Sequence, residues 1–282
     1  MTSNGQRVLT GFIAVPLLLL IILFMPHYHH AVFCLLVLAV CVIGSSEIHN
    51  ILVHDKPDIK LPVPYWLGAF LPIAAYVEYE FAGNNAIILY TCIGILSLIF
   101  LIETITGYKD NFRLTRDRIS YSVIQFLYPN LFGIFLIRLC FLQNATMWLL
   151  TFFLLVFSSD TFAYFFGMLF GKNNKGIVKV SPNKSVAGFI AGALIPALFA
   201  ALLCAFIDSY TLSWWEGAVV GLLTACAGIC GDLIESAFKR SSGLKDSGNA
   251  IPGRGGMLDS IDSIAIAAPV YMAVLHLFQV TI

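Results

Sequence analysis

Long apolar runs alternate with short polar intervals along the whole chain. A helix needs about 20 apolar residues to cross a bilayer core. Nine stretches meet or approach that length, at about 8–25, 31–50, 62–79, 86–105, 119–141, 145–169, 186–207, 214–234 and 260–281. The pattern predicts an all-α, polytopic integral membrane protein of about nine transmembrane helices. The largest polar intervals are 106–118, 170–185 and 239–258, so no long soluble domain is expected. The first run starts close to Met1 and ends at Met25-Pro26-His27, without the small-residue site that marks a cleaved signal peptide.

Composition strengthens this reading. Apolar residues make up 59% of the 282 positions and charged residues 11%. Soluble domains average roughly 45–50% and 25%, so a soluble fold of this size would lack the charge to cover its surface. The formal net charge is zero, which argues against nucleic acid as a partner. The seven cysteines all lie in apolar segments, without CxxC or Cys/His metal spacing. Cys226 and Cys230 share a helix face and are expected to be buried small residues.

The placement of charge says more than its sum. With the N-terminus and Arg7 in the cytoplasm, nine spans put fifteen of the sixteen basic residues on that side, and only Arg138 elsewhere. Basic residues at 56–60 and 109–118 need no further explanation than this bias. We divide the chain into an N-terminal membrane region of about four spans, 1–118, and a C-terminal region of about five spans, 119–282, which carries the candidate chemistry.

Acids in or beside the spans are costly, roughly 3 kcal/mol for a carboxylate at a helix centre. They include Glu47, Glu103, Asp160, Asp232, Glu235, Asp259 and Asp262. Glu47 and Glu103 stand alone and read as structural or snorkelling residues. Asp232, Glu235, Ser236 and Lys239 stand at i, i+3, i+4 and i+7, which puts them on one helix face. A loop with five glycines follows at 241–256, carrying Lys245 and Arg254. Such a loop lets backbone N–H groups approach an anion. Asp259 and Asp262, at i,i+3 where the chain re-enters the membrane, are able to hold a hard divalent cation through oxygen. Alone, that pair reads equally as acids favoured at a helix N-terminus. Together, acids flanking a Gly/Lys/Arg loop form the inventory for phosphoryl transfer. All six histidines lie outside this region, so histidine acid–base chemistry is not expected to be central.

The same residues carry a resemblance. Ser236-Ala237-Phe238-Lys239-Arg240, four residues, Lys245-Asp246, then Gly255-Gly256 and Asp259-Ser260-Ile261-Asp262 resemble the signature of the phosphatidate cytidylyltransferases, or CDP-diacylglycerol synthases. Upstream, Asp160-Thr161-Phe162-Ala163-Tyr164, Gly167, Phe170-Gly171-Lys172 and Ser181-Pro182-Asn183-Lys184-Ser185 are similar to that family too. The motifs cover about 160–263; the N-terminal half is similar only in hydropathy. Three positions depart from the family pattern. Arg254 stands where His is usual, Ser260 where Arg is usual, and Ala187 where Glu is frequent. Lys184-Ser185 lacks the G-x4-G-K context of a phosphate-binding P-loop.

The resemblance implies transfer of CMP from CTP to phosphatidate, giving CDP-diacylglycerol and pyrophosphate. It implies catalytic roles for Asp232, Lys239, Asp259 and Asp262, with Mg2+ on Asp232, Asp259 and Asp262. Substrate contacts are implied for Asp160, Lys172, Ser181, Lys184, Ser185, Ser236, Arg240, Lys245, Asp246, Arg254, Gly255 and Gly256. It further implies a second cation such as K+, a homodimer, and an active site facing the cytoplasm from the inner membrane. A CTP-dependent polyprenol kinase is the nearer alternative, and an ion-coupled transporter the more distant one.

Overall fold

A computed structural model describes residues 3–82 and 86–280, apart from the side chains of 3–9 and 82. The side chain of Arg7 and position 281 of the last expected span lie outside the described residues. The described chain is helical: α1 Ser3–Phe24, α2 His27–Val53, α3 Phe70–Val77, α4 Ile87–Thr106, α5 Thr115–Leu139, α6 Ala145–Phe170, α7 Val186–Phe206, α8 Trp214–Ser241 and α9 Leu258–Leu277. Among the described residues, seven helices are long and apolar enough to cross a membrane; α1 and α3 are not among them. Large apolar side chains stay exposed on them, such as Phe100, Leu194 and Leu198, as a lipid-facing surface requires.

Of the nine candidates, the first and third are not among these seven. The first is described with its side chains only over Thr10–Phe24, within a helix of 22 residues. The third candidate is wound in three pieces: a 3-10 turn at Tyr65–Ala69, the eight-residue α3, and a π turn at Glu78–Ala82. Pro62 and Pro64, at the start of that candidate, lack backbone donors, and the first turn forms only after them. At its far end the Glu78 carboxylate accepts the Ile88 N–H at 2.8 Å.

The chain divides into two compact units, Met1–Arg138 with Phe238–Ser260, and Leu139–Ala237 with Ile261–Ile282. In the first, Phe33, Cys41, Ile48, Ile51, Leu71, Ala75, Phe126 and Phe132 form the buried core. Polar side chains inside it are paired: Asn130 donates to Ser45 Oγ at 3.0 Å and to the Phe126 carbonyl at 2.9 Å. Glu103 is 1% exposed, and both its oxygens accept from Arg118, which also reaches Asp110. Glu103 is thus the structural acid expected of it. Its partner comes from the basic interval at 109–118, which has this role beyond orientation.

In the second unit, small residues let helix backbones approach. A Cβ on Gly192 of α7 would meet the Ser159 carbonyl of α6 at 3.1 Å. One on Gly221 of α8 would meet the Pro196 carbonyl of α7 at 2.6 Å. One on Gly231 would meet the Asp262 carbonyl of α9 at 2.3 Å. Trp148, Phe152 and Tyr271 fill the core, where the Tyr271 hydroxyl donates to the Trp148 carbonyl at 3.1 Å. Cys226 and Cys230 are exposed on α8, which corrects their expected burial.

Candidate active site

The C-terminal end of α8, the loop after it and the first turn of α9 form one group within the first unit. The apolar span continues as helix to Ser241, so Lys239 sits in the last turn of α8. It is buried, and its Nζ lies 2.5 Å from Asp259 Oδ1. Asp259 Oδ2 accepts the Ser247 N–H at 2.9 Å, the Ser247 hydroxyl at 2.9 Å and the Gly256 N–H at 2.7 Å. A carboxylate offers about four acceptor positions, so Asp259 is fully engaged by Lys239 and the loop.

Glycine is needed for that fit. Gly255 has φ +109°, a region that L side chains avoid, and a Cβ there would stand 2.6 Å from Asp259 Oδ2. A Cβ on Gly256 would overlap Ser247 Oγ at 2.0 Å. Around them, Ile251 and Gly255 form a small bridge, and the Ile251 N–H donates to the Gly255 carbonyl at 2.8 Å. Arg240 donates to the Leu244 carbonyl at 3.2 Å, tying down the loop's first residues. Lys245, Asp246 and Arg254 are exposed.

A second group lies in the second unit. Asp232 and Glu235 of α8, Asp160 of α6 and Asp262 of α9 interact there electrostatically, with Asp262 feeling the other three. Lys184 forms an ion pair with Asp232. The Ser236 hydroxyl lies 3.4 Å from Asp232 Oδ1, and the Ser263 hydroxyl 3.4 Å from Asp160 Oδ1. Asp262 Oδ1 accepts the Ser263 N–H at 2.6 Å.

Lys184 owes its position to the start of α7. Ser185 caps that helix, its hydroxyl oxygen accepting the Gly188 N–H at 3.1 Å. Gly171, at the end of α6, leaves room for it: a Cβ there would meet Ser185 Oγ at 2.6 Å. A bridge between Lys175 and Ser185 closes the intervening loop. Ser181 holds the turn before Lys184, whose N–H donates to the Ser181 carbonyl at 3.1 Å. Lys172 is exposed in the same loop.

The residues read from sequence therefore fall into two sets. Asp160, Lys184, Asp232 and Asp262 are together, as are Lys239, Asp259 and Gly255-Gly256. Among the described residues, no three His, Cys, Asp or Glu side chains stand close enough together to hold a metal ion as they are. The second group still has the oxygen chemistry a hard divalent cation prefers: carboxylates of Asp160, Asp232 and Asp262, the hydroxyls of Ser236 and Ser263 beside them, and Lys184 already drawn to Asp232.

Two acids have contacts that the sequence did not identify, although Glu47 is structural as expected. Glu235 is fully buried and acts electrostatically on Asp262. Its place on the face of Asp232 and Lys239 was the signal for it. Glu47 of α2 is 6% exposed and contacts the loop before α9. No local spacing signals that contact.

Comparison with known proteins identifies the family of the chain. Phosphatidate cytidylyltransferases from Staphylococcus saprophyticus and Staphylococcus haemolyticus are 40% and 44% identical to the chain over 117 residues. That aligned stretch is 42% of this chain and spans 44% of each staphylococcal protein's length. The phosphatidate cytidylyltransferase of Haemophilus influenzae is 32% identical over 94% of this chain and 96% of its own length. The sequence profile of the cytidylyltransferase family matches residues 5–278, and the chain belongs to that family.

Proposed function

We propose that the chain transfers CMP from CTP to phosphatidate, producing CDP-diacylglycerol and pyrophosphate in phospholipid biosynthesis. Beyond family membership, one observation carries the reading. Lys184 is ion-paired with Asp232 in a group that also holds Asp160 and Asp262. A cation among membrane-helix carboxylates suits phosphate chemistry at a lipid surface.

A phosphate oxygen of phosphatidate attacks the α-phosphorus of CTP. A new P–O bond forms, and the bond from that phosphorus to the pyrophosphate oxygen breaks. The lipid phosphate is already ionised near neutral pH, so no strong general base is required. The obstacle is the approach of two anions. Fixed positive charge lowers it most where no reorganisation is needed.

Lys239, held by Asp259, is such a fixed charge, and we assign it to the developing charge on pyrophosphate. Arg240, Lys245 and Arg254 add exposed positive charge around the loop. Lys184 exchanges Asp232 for a substrate phosphate, and Lys172, Ser181 and Ser185 border that phosphate. Asp232 and Asp262 would hold Mg2+, which when bound neutralises the phosphates and aligns them. Asp259, the third acid read as a ligand, contributes by fixing Lys239 and the loop. We further assign a second cation such as K+, a homodimer, and a cytoplasm-facing site in the inner membrane, following the family resemblance and the one-sided basic loops.

The test uses detergent-solubilised protein, phosphatidate and CTP labelled at the α-phosphate. Label in lipid-extractable CDP-diacylglycerol, with pyrophosphate released, is the expected result. Label confined to free CDP identifies a lipid kinase, and the absence of any covalent product contradicts the proposal.

A further inference from the structure

Glu47 lies in α2, about two hundred positions before the loop it touches. Its Oε1 accepts the Met257 N–H at 2.8 Å and its Oε2 the Leu258 N–H at 2.8 Å. Leu258 opens α9. The first N–H groups of a helix have no partner within it, and negative charge is favoured there. A carboxylate from another helix therefore caps α9.

The loop wraps around this carboxylate. A Cβ on Gly248 would lie 2.8 Å from Glu47 Oε1, and one on Gly256 2.5 Å from Oε2. The Ser247 hydroxyl has one proton and two carboxylates within reach, Glu47 Oε2 at 3.1 Å and Asp259 Oδ2 at 2.9 Å. Ser247 thus stands between two anions. Asp259 draws in the Ser247 and Gly256 N–H groups from one side, and Glu47 draws in those of Met257 and Leu258 from the other.

We propose that Glu47 is a positioning residue for the reaction: it sets the loop 247–257 so that Asp259 holds Lys239 in a fixed place. Its catalytic consequence rests on the function proposed above. Its structural content does not.

The experiment follows amide hydrogen exchange and steady-state kinetics in the full chain, comparing wild type, Glu47→Gln and Ser247→Ala. Glutamine keeps the size but offers only one acceptor oxygen for two N–H groups. In Glu47→Gln, exchange at Met257 and Leu258 is expected to rise about tenfold or more, while the middle of α9 stays protected. The kcat is expected to fall about thirtyfold or more, with KM for phosphatidate within about threefold. Ser247→Ala removes no buried acid and keeps the proposal testable if Glu47→Gln fails to fold. It is expected to loosen the same amides and lower kcat in the same direction. Unchanged exchange at Met257 and Leu258 in the folded variants overturns the proposal, as does a normal kcat despite loosened amides. A wild-type protein that makes no CDP-diacylglycerol would defeat the proposed function and leave the exchange result to decide the role of Glu47.

Discussion

Lys239 Nζ and Asp259 Oδ1 lie 2.5 Å apart, joining residues twenty positions apart in the chain. Both side chains are about nine-tenths buried, with exposures of 11% and 10%. Breaking such a pair from one side leaves a buried charge without its partner, at a cost of about 3–5 kcal/mol. Asp259→Asn and Lys239→Met should each lower stability by about that amount and abolish turnover, while both proteins still reach the membrane. The double variant should recover much of the stability and none of the activity. Thermal unfolding and CDP-diacylglycerol formation on the same four preparations check this. A double variant with substantial turnover would show that the pair only supports the fold.

The pairing of Lys184 with Asp232 predicts a different balance. The side chains are 24% and 31% exposed, so the ion pair is worth at most about 1 kcal/mol of stability. A cation that contacts a reacting phosphate is worth more, about 100-fold in rate by analogy with other charge-stabilising donors. Lys184→Met should therefore leave the unfolding temperature nearly unchanged and reduce kcat/KM by about two orders of magnitude. A variant that loses stability and keeps its rate would assign Lys184 to structure alone.

Two glycines on α8 provide an internal contrast. A Cβ on Gly231 would meet the backbone carbonyl of Asp262 at 2.3 Å, whereas one on Gly228 would find its nearest atom at an ordinary 3.6 Å. Gly231→Ala should push α9 from α8, destabilise the protein by about 1–3 kcal/mol, and impair activity through Asp262. Gly228→Ala should be tolerated, with a change within about 0.5 kcal/mol. Unfolding midpoints and relative activities of the two variants measure the difference.

The Glu103–Arg118 pair separates structure from chemistry. Arg118→Met leaves Glu103 buried without its main partner and should cost about 3–5 kcal/mol. Adding Glu103→Gln should restore much of that. Turnover per folded molecule should match wild type in both, measured against the fraction of correctly folded protein on size exclusion.

Some of this architecture was legible in the residue order because its signals are local. Apolar runs of span length mark the long helices, and the spacing of Asp232, Glu235, Ser236 and Lys239 puts them on one face by the helical repeat alone. The loop glycines announce close backbone approach, which Gly255 and Gly256 fulfil. Glu47 was not legible, because the N–H groups it holds are more than two hundred positions away. Its isolation in an apolar run looked the same as that of Glu103, whose partner Arg118 is only fifteen positions on. The third apolar run was long enough to span, but it begins to wind only after Pro62 and Pro64 and changes from a 3-10 turn to α-helix to a π turn, which hydropathy does not register. Exposure of Cys226 and Cys230 depends on which face of α8 meets its neighbours, a tertiary choice that their own spacing leaves open.

The central claim is that Asp232 and Asp262 gather a divalent cation where the phosphates meet. Its most direct measurement is Mn2+ binding, counted by electron paramagnetic resonance on the purified, nucleotide-free protein and on Asp232→Asn and Asp262→Asn. The account predicts a protein-bound Mn2+ in the wild type, displaced by Mg2+, with affinity at least about tenfold weaker in each variant, or about 1.4 kcal/mol. Equal Mn2+ binding in all three proteins would contradict it.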